Sequence, residues 1–368
     1  MTGPPALVLH TEASLGLGGQ EIRILTEARW LLAHGWNALI ACQPHSQLFA
    51  EARTAGLPVA AVRMRGAIDP LGFLALRRLI RRARVDVVHT HSSVDSWLAT
   101  LAARSLSLPV VRGRHVSIRI LRRRALVYRL ADRVITTGDT IKVIVEGAGV
   151  PAAKVVSVPA GVDTTRFHPG ISGKAVRDEL GLEPAAPLIG LVANVRGSKG
   201  HEFFLGAAPA VLRVVPEARF LIVGDGVGFD DVGRRVGDMG LAHAVVMTGF
   251  RRDIPEVMAA LDVLVLPSTK SEATSQVIPQ ALAVGTPVVA SAVGGIPEIV
   301  RDGETGRLVP PGDAAALAEA ILALLRDPAR ARALAQAGQR LVQQRYTVDA
   351  MMADTTAVYR ELLDRRRR

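Results

Sequence analysis

The sequence predicts an α/β protein of two Rossmann-like domains, and three observations carry that prediction. Short apolar runs stopped by Gly or Pro alternate along the chain with segments whose apolar residues recur at helical spacing. Glycine-containing loops follow such runs in both halves, at Gly16-Leu-Gly18-Gly19 and at Gly197-Ser-Lys199-Gly200. A chain of 368 residues is also too long for one ordinary hydrophobic core. The division falls into residues 1–165 and 170–345, with 346–368 as a closing helix.

The first half opens with a strand at Leu7-Val-Leu9 and the glycine turn. A helix follows, with Ile22, Leu25, Ala28, Leu31 and Leu32 on its apolar face, up to His34-Gly35. Glycine at a helix start lets backbone approach a phosphate. The spacing is not that of the dinucleotide fingerprint, and no acidic residue ends the next strand, Asn37 to Cys42. Strand Val59 to Val62 and an arginine-rich helix from Pro70 to Ala83 come next. Strand Val85-Asp-Val-Val-His89-Thr-His91 then puts two histidines on one side if it persists that far. A zinc site there needs a third and fourth ligand, and the local sequence offers neither, so no metal is assigned. Val110-Val111 leads into Arg112-Gly-Arg114-His115, and Asp132 to Thr137 and Lys154 to Val158 are the last strands of this half.

Gly170 to Pro187 reads as linker plus a short helix, and a new α/β unit starts at Leu188-Ile-Gly-Leu-Val192. Its loop, Asn194-Val-Arg196-Gly-Ser-Lys199-Gly200-His201, carries a planar guanidinium and a point-charge ammonium three residues apart, both able to reach a diphosphate. Phe220 to Gly228 reads as a strand and turn with no helix promptly after it, and Val245 to Gly249 as a further strand. Val263-Leu-Val-Leu266, between Asp262 and Pro267, is an unbroken apolar run expected of a strand buried on both faces. The polar stretch Ser268 to Gln276 follows, then a helix ended by Gly285. Pro279 is tolerated only in the first turn, which predicts an N-cap at or next to Ser275. A helix N-terminus at the carboxyl end of a parallel strand favours anions. Strand Pro287 to Ser291 and the turn Gly294-Gly295 complete the segment.

Composition narrows the function classes. Cys42 is the only cysteine, so no intrachain disulfide forms and a reducing compartment is natural. The N-terminus lacks the pattern of a signal peptide, and no apolar run approaches the ~18–20 residues of a membrane span. Both features predict a cytoplasmic protein. The net charge of +11 is uneven, with 21 Lys+Arg against 11 Asp+Glu in residues 1–165 and 24 against 23 in the rest. Clusters at Arg77, Arg78, Arg81, Arg82 and Arg84, at Arg119 and Arg122 to Arg124, and at Arg365 to Arg368 fit an anionic membrane surface or a charged acceptor, and equally fit plain solvated arginine faces in an arginine-favouring composition. Aromatic content of 4% argues against stacking on single-stranded nucleic acid, and no nucleic-acid partner is expected.

The stretch Pro267 to Glu298 resembles the donor-site signature of retaining glycosyltransferase family 4, glycosyl transferases group 1. Glu272 matches the first of the family's two glutamates spaced eight apart, and Gln280 stands at the second. The resemblance runs over almost the whole chain. It implies the GT-B fold, two Rossmann-like domains with a deep interdomain cleft, the first for the acceptor and the second for the nucleotide sugar. Residues 346–368 resemble the family's closing helix, which crosses back to the first domain, and Pro159 to Pro169 resembles the interdomain turn, with Ala160 where asparagine is usual.

The implied catalytic residues are His91 beside sugar and phosphate, Arg196 and Lys199 on the diphosphate, and Glu272 on the donor hydroxyls. The family's arginine more often lies five residues before the lysine, where this chain has Asn194. Gly18, Gly19, Gly249, Arg252, Ala273, Thr274, Ser275 and Gln280 are the implied donor contacts, and Gln20, Arg112 and His115 the acceptor contacts.

No Asp-x-Asp motif occurs, so arginine, lysine and backbone N–H groups are expected to meet the leaving-group charge without metal or other cofactor. The function expected is retaining transfer of a hexose-type sugar from a nucleotide-diphosphate sugar to a glycan or lipid-linked acceptor in cell-envelope polysaccharide or lipopolysaccharide synthesis, in the cytoplasm or peripherally on the inner face of the membrane. Two other classes are kept open. A nonhydrolysing sugar-nucleotide epimerase would be told apart by showing no release of free nucleoside diphosphate when an acceptor is supplied. A non-catalytic nucleotide-sugar or polyanion-binding protein would bind donor without turnover.

Overall fold

The structure is a computed structural model that describes residues 5–121, 124–183, 185–270, 272–273, 275–367. The chain separates into two compact units, Met1–Ala160 with Val348–Arg368, and Gly161–Thr347. Each is built on one parallel sheet.

The first unit contains β1 (Leu7–Glu12), β2 (Asn37–Cys42), β3 (Val59–Ala61), β4 (Val87–Thr90), β5 (Val110–Arg114), β6 (Arg133–Thr136) and β7 (Val155–Ser157), in the order β3-β2-β1-β4-β5-β6-β7. The order turns back between β1 and β4, where His10 pairs with His89 and Thr11 with Thr90. In doubly wound sheets a switch point of this kind opens a crevice at the carboxyl ends of the strands, where ligands bind. Val8, Ile40, Val87, Val111 and Ile135 form a core with Met351, Met352, Val358, Tyr359 and Leu362 of the helix Val348–Arg367.

The second unit contains β8 (Leu188–Val192), β9 (Arg219–Val223), β10 (Val245–Gly249), β11 (Val263–Leu266), β12 (Val288–Ser291) and β13 (Arg307–Val309), in the order β10-β9-β8-β11-β12-β13. Alternation along β11 fills both faces, Leu264 and Leu266 packing in one core and Val263 and Val265 in the other. Its switch point lies between β8 and β11, so the loops after those two strands share one crevice.

Three sequence readings are corrected. The helix Gly19–Ala33 turns Ile24, Leu25, Ala28 and Leu31 inward, together with the charged Arg23 and Glu27, while Ile22 and Leu32 are exposed. β4 ends at Thr90, so His91 lies just beyond the strand. A helix, Phe229–Asp238, does follow β9 after its glycine turn. The helix after β11 starts at Val277 with Gln276, next to Ser275, as N-cap, as the position of Pro279 predicts; Gln276 already has helical backbone angles (φ −70°, ψ −26°). Pro279 remains in the first turn, where its missing N–H costs no helical bond. Gly285 closes that helix in the left-handed conformation at φ +99°.

Candidate functional site

The sequence-predicted residues fall into two groups, one at the switch point of each sheet. In the second unit, Lys199 ends the turn Gly197–Lys199 after β8, and Glu272 sits in the loop after β11. Lys199 Nζ donates to Glu272 Oε1, and Ser268 Oγ donates to the same oxygen at 2.7 Å. Both charged side chains are largely buried, at 12% and 8% exposure. The two loops are also tied through backbone, Thr269 N–H donating to Ser198 O at 3.0 Å.

Glycine is required where these segments touch. A Cβ on Gly200, which has φ +72°, would stand 1.8 Å from Pro267 O. One on Gly294, at φ +57°, would stand 2.0 Å from Glu272 O. Gly295 N–H donates to Glu272 O at 3.1 Å, so the turn Gly294-Gly295 seats the glutamate loop from beneath.

The remaining members of this group are more open. Arg196 is exposed and makes no ion pair among the described residues. Ala273, Ser275 and Gln280 are half-buried, and Gln280 N–H donates to Gln276 O as the fourth residue of its helix. Thr274 lies outside the described residues. Gly249 ends β10 at φ +70° and accepts from Gly224 N–H at 2.9 Å, while Arg252 beyond it is exposed. Its neighbour Arg251 is instead held by Glu179 at 2.6 Å and by Asp253 at 2.5 Å. His201 begins the helix His201–Val214, buried and without a hydrogen-bond partner among the described residues. Burial, and secondarily the Lys199 charge, pull its pKa down to about 4.

In the first unit the glycine turn is pinned by acids. Glu12, at the end of β1, accepts from Ser14 N–H and Oγ at 2.8 Å and from Gln20 Nε2. Glu21 accepts from Gly18 N–H at 2.7 Å, leaving Gly18 and Gly19 exposed at the helix start. Burial raises the Glu12 pKa to about 7, with the nearby Asp95 adding to the shift. Asp95 is raised by burial as well, although it accepts from Thr11 Oγ1 at 2.8 Å and His91 N–H at 2.9 Å.

Behind that turn four histidines meet. His91 Nε2 lies 3.0 Å from His10 Nδ1, His91 Nδ1 lies 3.1 Å from His115 Nε2, and His89 Nδ1 lies 2.7 Å from the Tyr359 hydroxyl. Burial holds His89, His91 and His115 well below the usual imidazole range, so they are neutral at pH 7. Both ring nitrogens of His91 are thus engaged by other imidazoles, and His91 is 2% exposed. His115 is the half-buried outer end of the chain. Arg112 is buried, donating to the carbonyls of Thr90 (3.3 Å) and Gly113 and lying 5.1 Å over the Tyr128 ring, where it braces strand ends.

The search for a third and fourth ligand beside His89 and His91 is answered by the fold. His10 and Glu27 each bring a ligand atom within 4.8 Å of the other two. Sequence reasoning missed these two and Ser268. His10 and Glu27 come from distant segments, and Ser268 is separated from Glu272 by a loop with no periodicity to read. The inward Arg23 and Glu27, four apart on one helix face, were the available signal.

Two doubly wound parallel sheets, each with polar side chains gathered at its switch point, are the two Rossmann-like domains of the GT-B fold. Residues 17–166 match the family described as Glycosyltransferase Family 4, and residues 186–327 that described as glycosyl transferases group 1. The chain is 32% identical over 283 residues to a GDP-mannose-dependent alpha-(1-6)-phosphatidylinositol monomannoside mannosyltransferase of Mycolicibacterium smegmatis, covering 74% of this chain and 69% of that one. It is 29% identical to a UDP-Gal:alpha-D-GlcNAc-diphosphoundecaprenol alpha-1,3-galactosyltransferase of Escherichia coli, over 70% of this chain and 71% of that one. In fold it is similar to the Anabaena protein Alr3699/HepE solved in complex with UDP, with a TM-score of 0.87 at 22% identity over 97% of this chain and 100% of that one. The protein belongs to glycosyltransferase family 4 and is a glycosyltransferase.

Proposed function

We propose that the protein is a retaining glycosyltransferase that moves a hexose-type sugar from a nucleotide-diphosphate sugar to a glycan or lipid-linked acceptor in cell-envelope polysaccharide or lipopolysaccharide synthesis. The observation that carries the reading is the Lys199–Glu272 pair, which joins the two loops at the switch point of the second sheet. Without donor each charge satisfies the other. On donor binding Lys199 turns to the diphosphate, and the freed Glu272 carboxylate, still held by Ser268, accepts sugar hydroxyls. Arg196, exposed and without an ion pair among the described residues, adds a second cation near Lys199. N–H groups at the start of helix Val277–Val284 add fixed dipoles toward the same leaving group. This charge set takes the role that a metal held by Asp-x-Asp would play, so transfer is metal-independent at the diphosphate.

Gly18 and Gly19 lie exposed at the first unit's switch point, pinned through Glu12 and Glu21, and meet donor and acceptor there. His115 and Gln20 contact the acceptor, while His91 and Arg112, both buried, position these groups. The relatives described above carry GDP-mannose or UDP-Gal in their names with phosphatidylinositol monomannoside or diphosphoundecaprenol acceptors, which supports a nucleotide sugar and a lipid-linked acceptor. No helix among the described residues is long and apolar enough to cross a membrane. Peripheral attachment is supported by exposed Ile68, Leu71 and Leu74 close in sequence to exposed Arg78, Arg81, Arg82 and Arg84.

The test is a thermal-shift screen of nucleoside-diphosphate sugars, followed by mass spectrometry of products with lipid-linked and glycan acceptors and anomer assignment by NMR. Donor stabilisation, nucleoside diphosphate release only with acceptor, and retained configuration are expected. Epimerised donor without nucleotide release, or inversion, would overturn the reading.

A further inference from the structure

We propose that the first unit holds a buried divalent metal ion of the zinc type, ligated by His10, Glu27, His89 and His91. The ion clamps the carboxyl ends of β1 and β4 to the helix Gly19–Ala33. The inference stands on the first unit alone and does not involve the Lys199–Glu272 pair.

The geometry fits four-coordinate binding. One ligand atom from each residue lies within 4.8 Å of every other. His10 Nδ1 to His91 Nε2 is 3.0 Å, and Glu27 Oε2 is 3.7 Å from both His10 Nδ1 and His89 Nδ1. A tetrahedral zinc ion with bonds of about 2.0–2.1 Å sets its ligand atoms roughly 3.3–3.4 Å apart. The measured edges bracket that value. Three imidazoles and a carboxylate are a donor set suited to zinc, whereas calcium and magnesium take oxygen ligands.

The surroundings complete the argument. All four residues are buried, at 0–2% exposure, yet Glu27 Oε2 has no hydrogen-bond donor. A buried carboxylate oxygen left without a partner is costly, and a cation removes that cost. Two of the four residues have partners on the atom facing away from the ion, whereas His10 Nε2 and His89 Nε2 have none among the described residues. Arg23 Nε donates to Glu27 Oε1 at 2.6 Å, and His91 Nδ1 meets His115 Nε2 at 3.1 Å. Gly113 lets the outer faces of these rings pack together, since a Cβ there would stand 2.8 Å from His115 Nε2, 3.1 Å from His91 Nδ1 and 3.2 Å from His89 Nε2.

One group stands in the way. The Tyr359 hydroxyl, 2.7 Å from His89 Nδ1, must move aside or let the ring turn when the ion binds. With four protein ligands and no exposed face, the ion is structural.

The test uses the full chain, expressed with zinc and purified without chelator. Elemental analysis should find about one zinc per chain. Protein stripped by a strong chelator and refilled with Co(II) should show the intense visible absorption of four-coordinate cobalt, and its melting temperature should drop on stripping and recover on refilling. His10→Gln and Glu27→Gln should fall to background metal, whereas Tyr359→Phe should keep it. Far-UV circular dichroism establishes that each variant is folded; should one fail to fold, the strip-and-refill measurement on the wild type decides. Substoichiometric zinc with no cobalt spectrum, unchanged metal content in the folded His10 and Glu27 variants, or a melting temperature indifferent to stripping and refilling would each overturn the proposal.

Discussion

Replacing Lys199 by methionine separates a structural ion pair from a working one. The side chain keeps its length, but Glu272 is left buried with Ser268 as its remaining side-chain partner. Breaking a fully buried pair costs about 3–5 kcal/mol; at 12% and 8% exposure, water recovers part of this, and about 2–3 kcal/mol of stability should be lost. Turnover should fall by about 10² to 10³, the loss typical of removing one charge-stabilising donor. The double variant Lys199→Met, Glu272→Leu removes both charges. Its stability should return to within about 1 kcal/mol of wild type, because apolar replacement of a buried pair is commonly neutral. Its turnover should stay at or below that of the single variant. Equilibrium urea unfolding and initial rates at saturating donor measure the two quantities on the same preparations. If the double variant regained turnover together with stability, the pair would be scaffolding and its assigned chemistry wrong.

Arg196→Ala should leave stability within about 0.5 kcal/mol, as for an exposed side chain, and still lower turnover by about 10² to 10³; a near wild-type rate would remove Arg196 from the site. Gln280→Glu should stay folded and shift donor affinity by no more than roughly 1–2 kcal/mol by calorimetry, while Glu272→Gln should reduce turnover strongly, and the reverse ranking would exchange their roles. Binding to anionic vesicles should be tight at low salt and weaken steeply as salt shortens the screening length to ~10 Å at 0.1 M; no binding at low salt would leave the arginine-rich face without a membrane role. His201 has a folded-state pKa of about 4, below the ordinary 6.5, so the stability tied to its neutral form is present above pH 6.5 and lost as pH falls toward 4. His201→Leu should remove on the order of 2–3 kcal/mol of that acid dependence in unfolding measurements at pH 7 and pH 4.5, and an unchanged pH slope would refute the assignment.

Most of the fold was legible because parallel strands buried on both faces leave an unmistakable apolar run. Val263–Leu266 and Leu188–Val192 have the ends expected of them. The residues that meet at the second switch point stand in local patterns too, Lys199 beside Gly200 and Glu272 after Pro267. What the sequence hid is non-local. Nothing in the order of residues says that His10 lies opposite His89, which depends on β1 pairing with β4 across the switch point. Helical spacing of apolar residues suggested a face through Ile22 and Leu32, yet the fold buries Arg23 and Glu27 instead, because polar groups from two strand ends and Tyr359 are there to receive them. Periodicity detects apolar burial and is blind to a buried polar network.

The central claim is that the Lys199 and Glu272 loops of the second unit form the donor diphosphate site. Its most direct test is calorimetric titration of GDP and UDP into wild type and Lys199→Met, in buffer containing EDTA so that no exchangeable metal contributes. The account predicts that one of the two nucleotides binds the wild type without added metal and that the Lys199 variant loses at least tenfold in affinity for it. Equal binding by both proteins, or binding that appears only when magnesium or manganese is supplied, would contradict it.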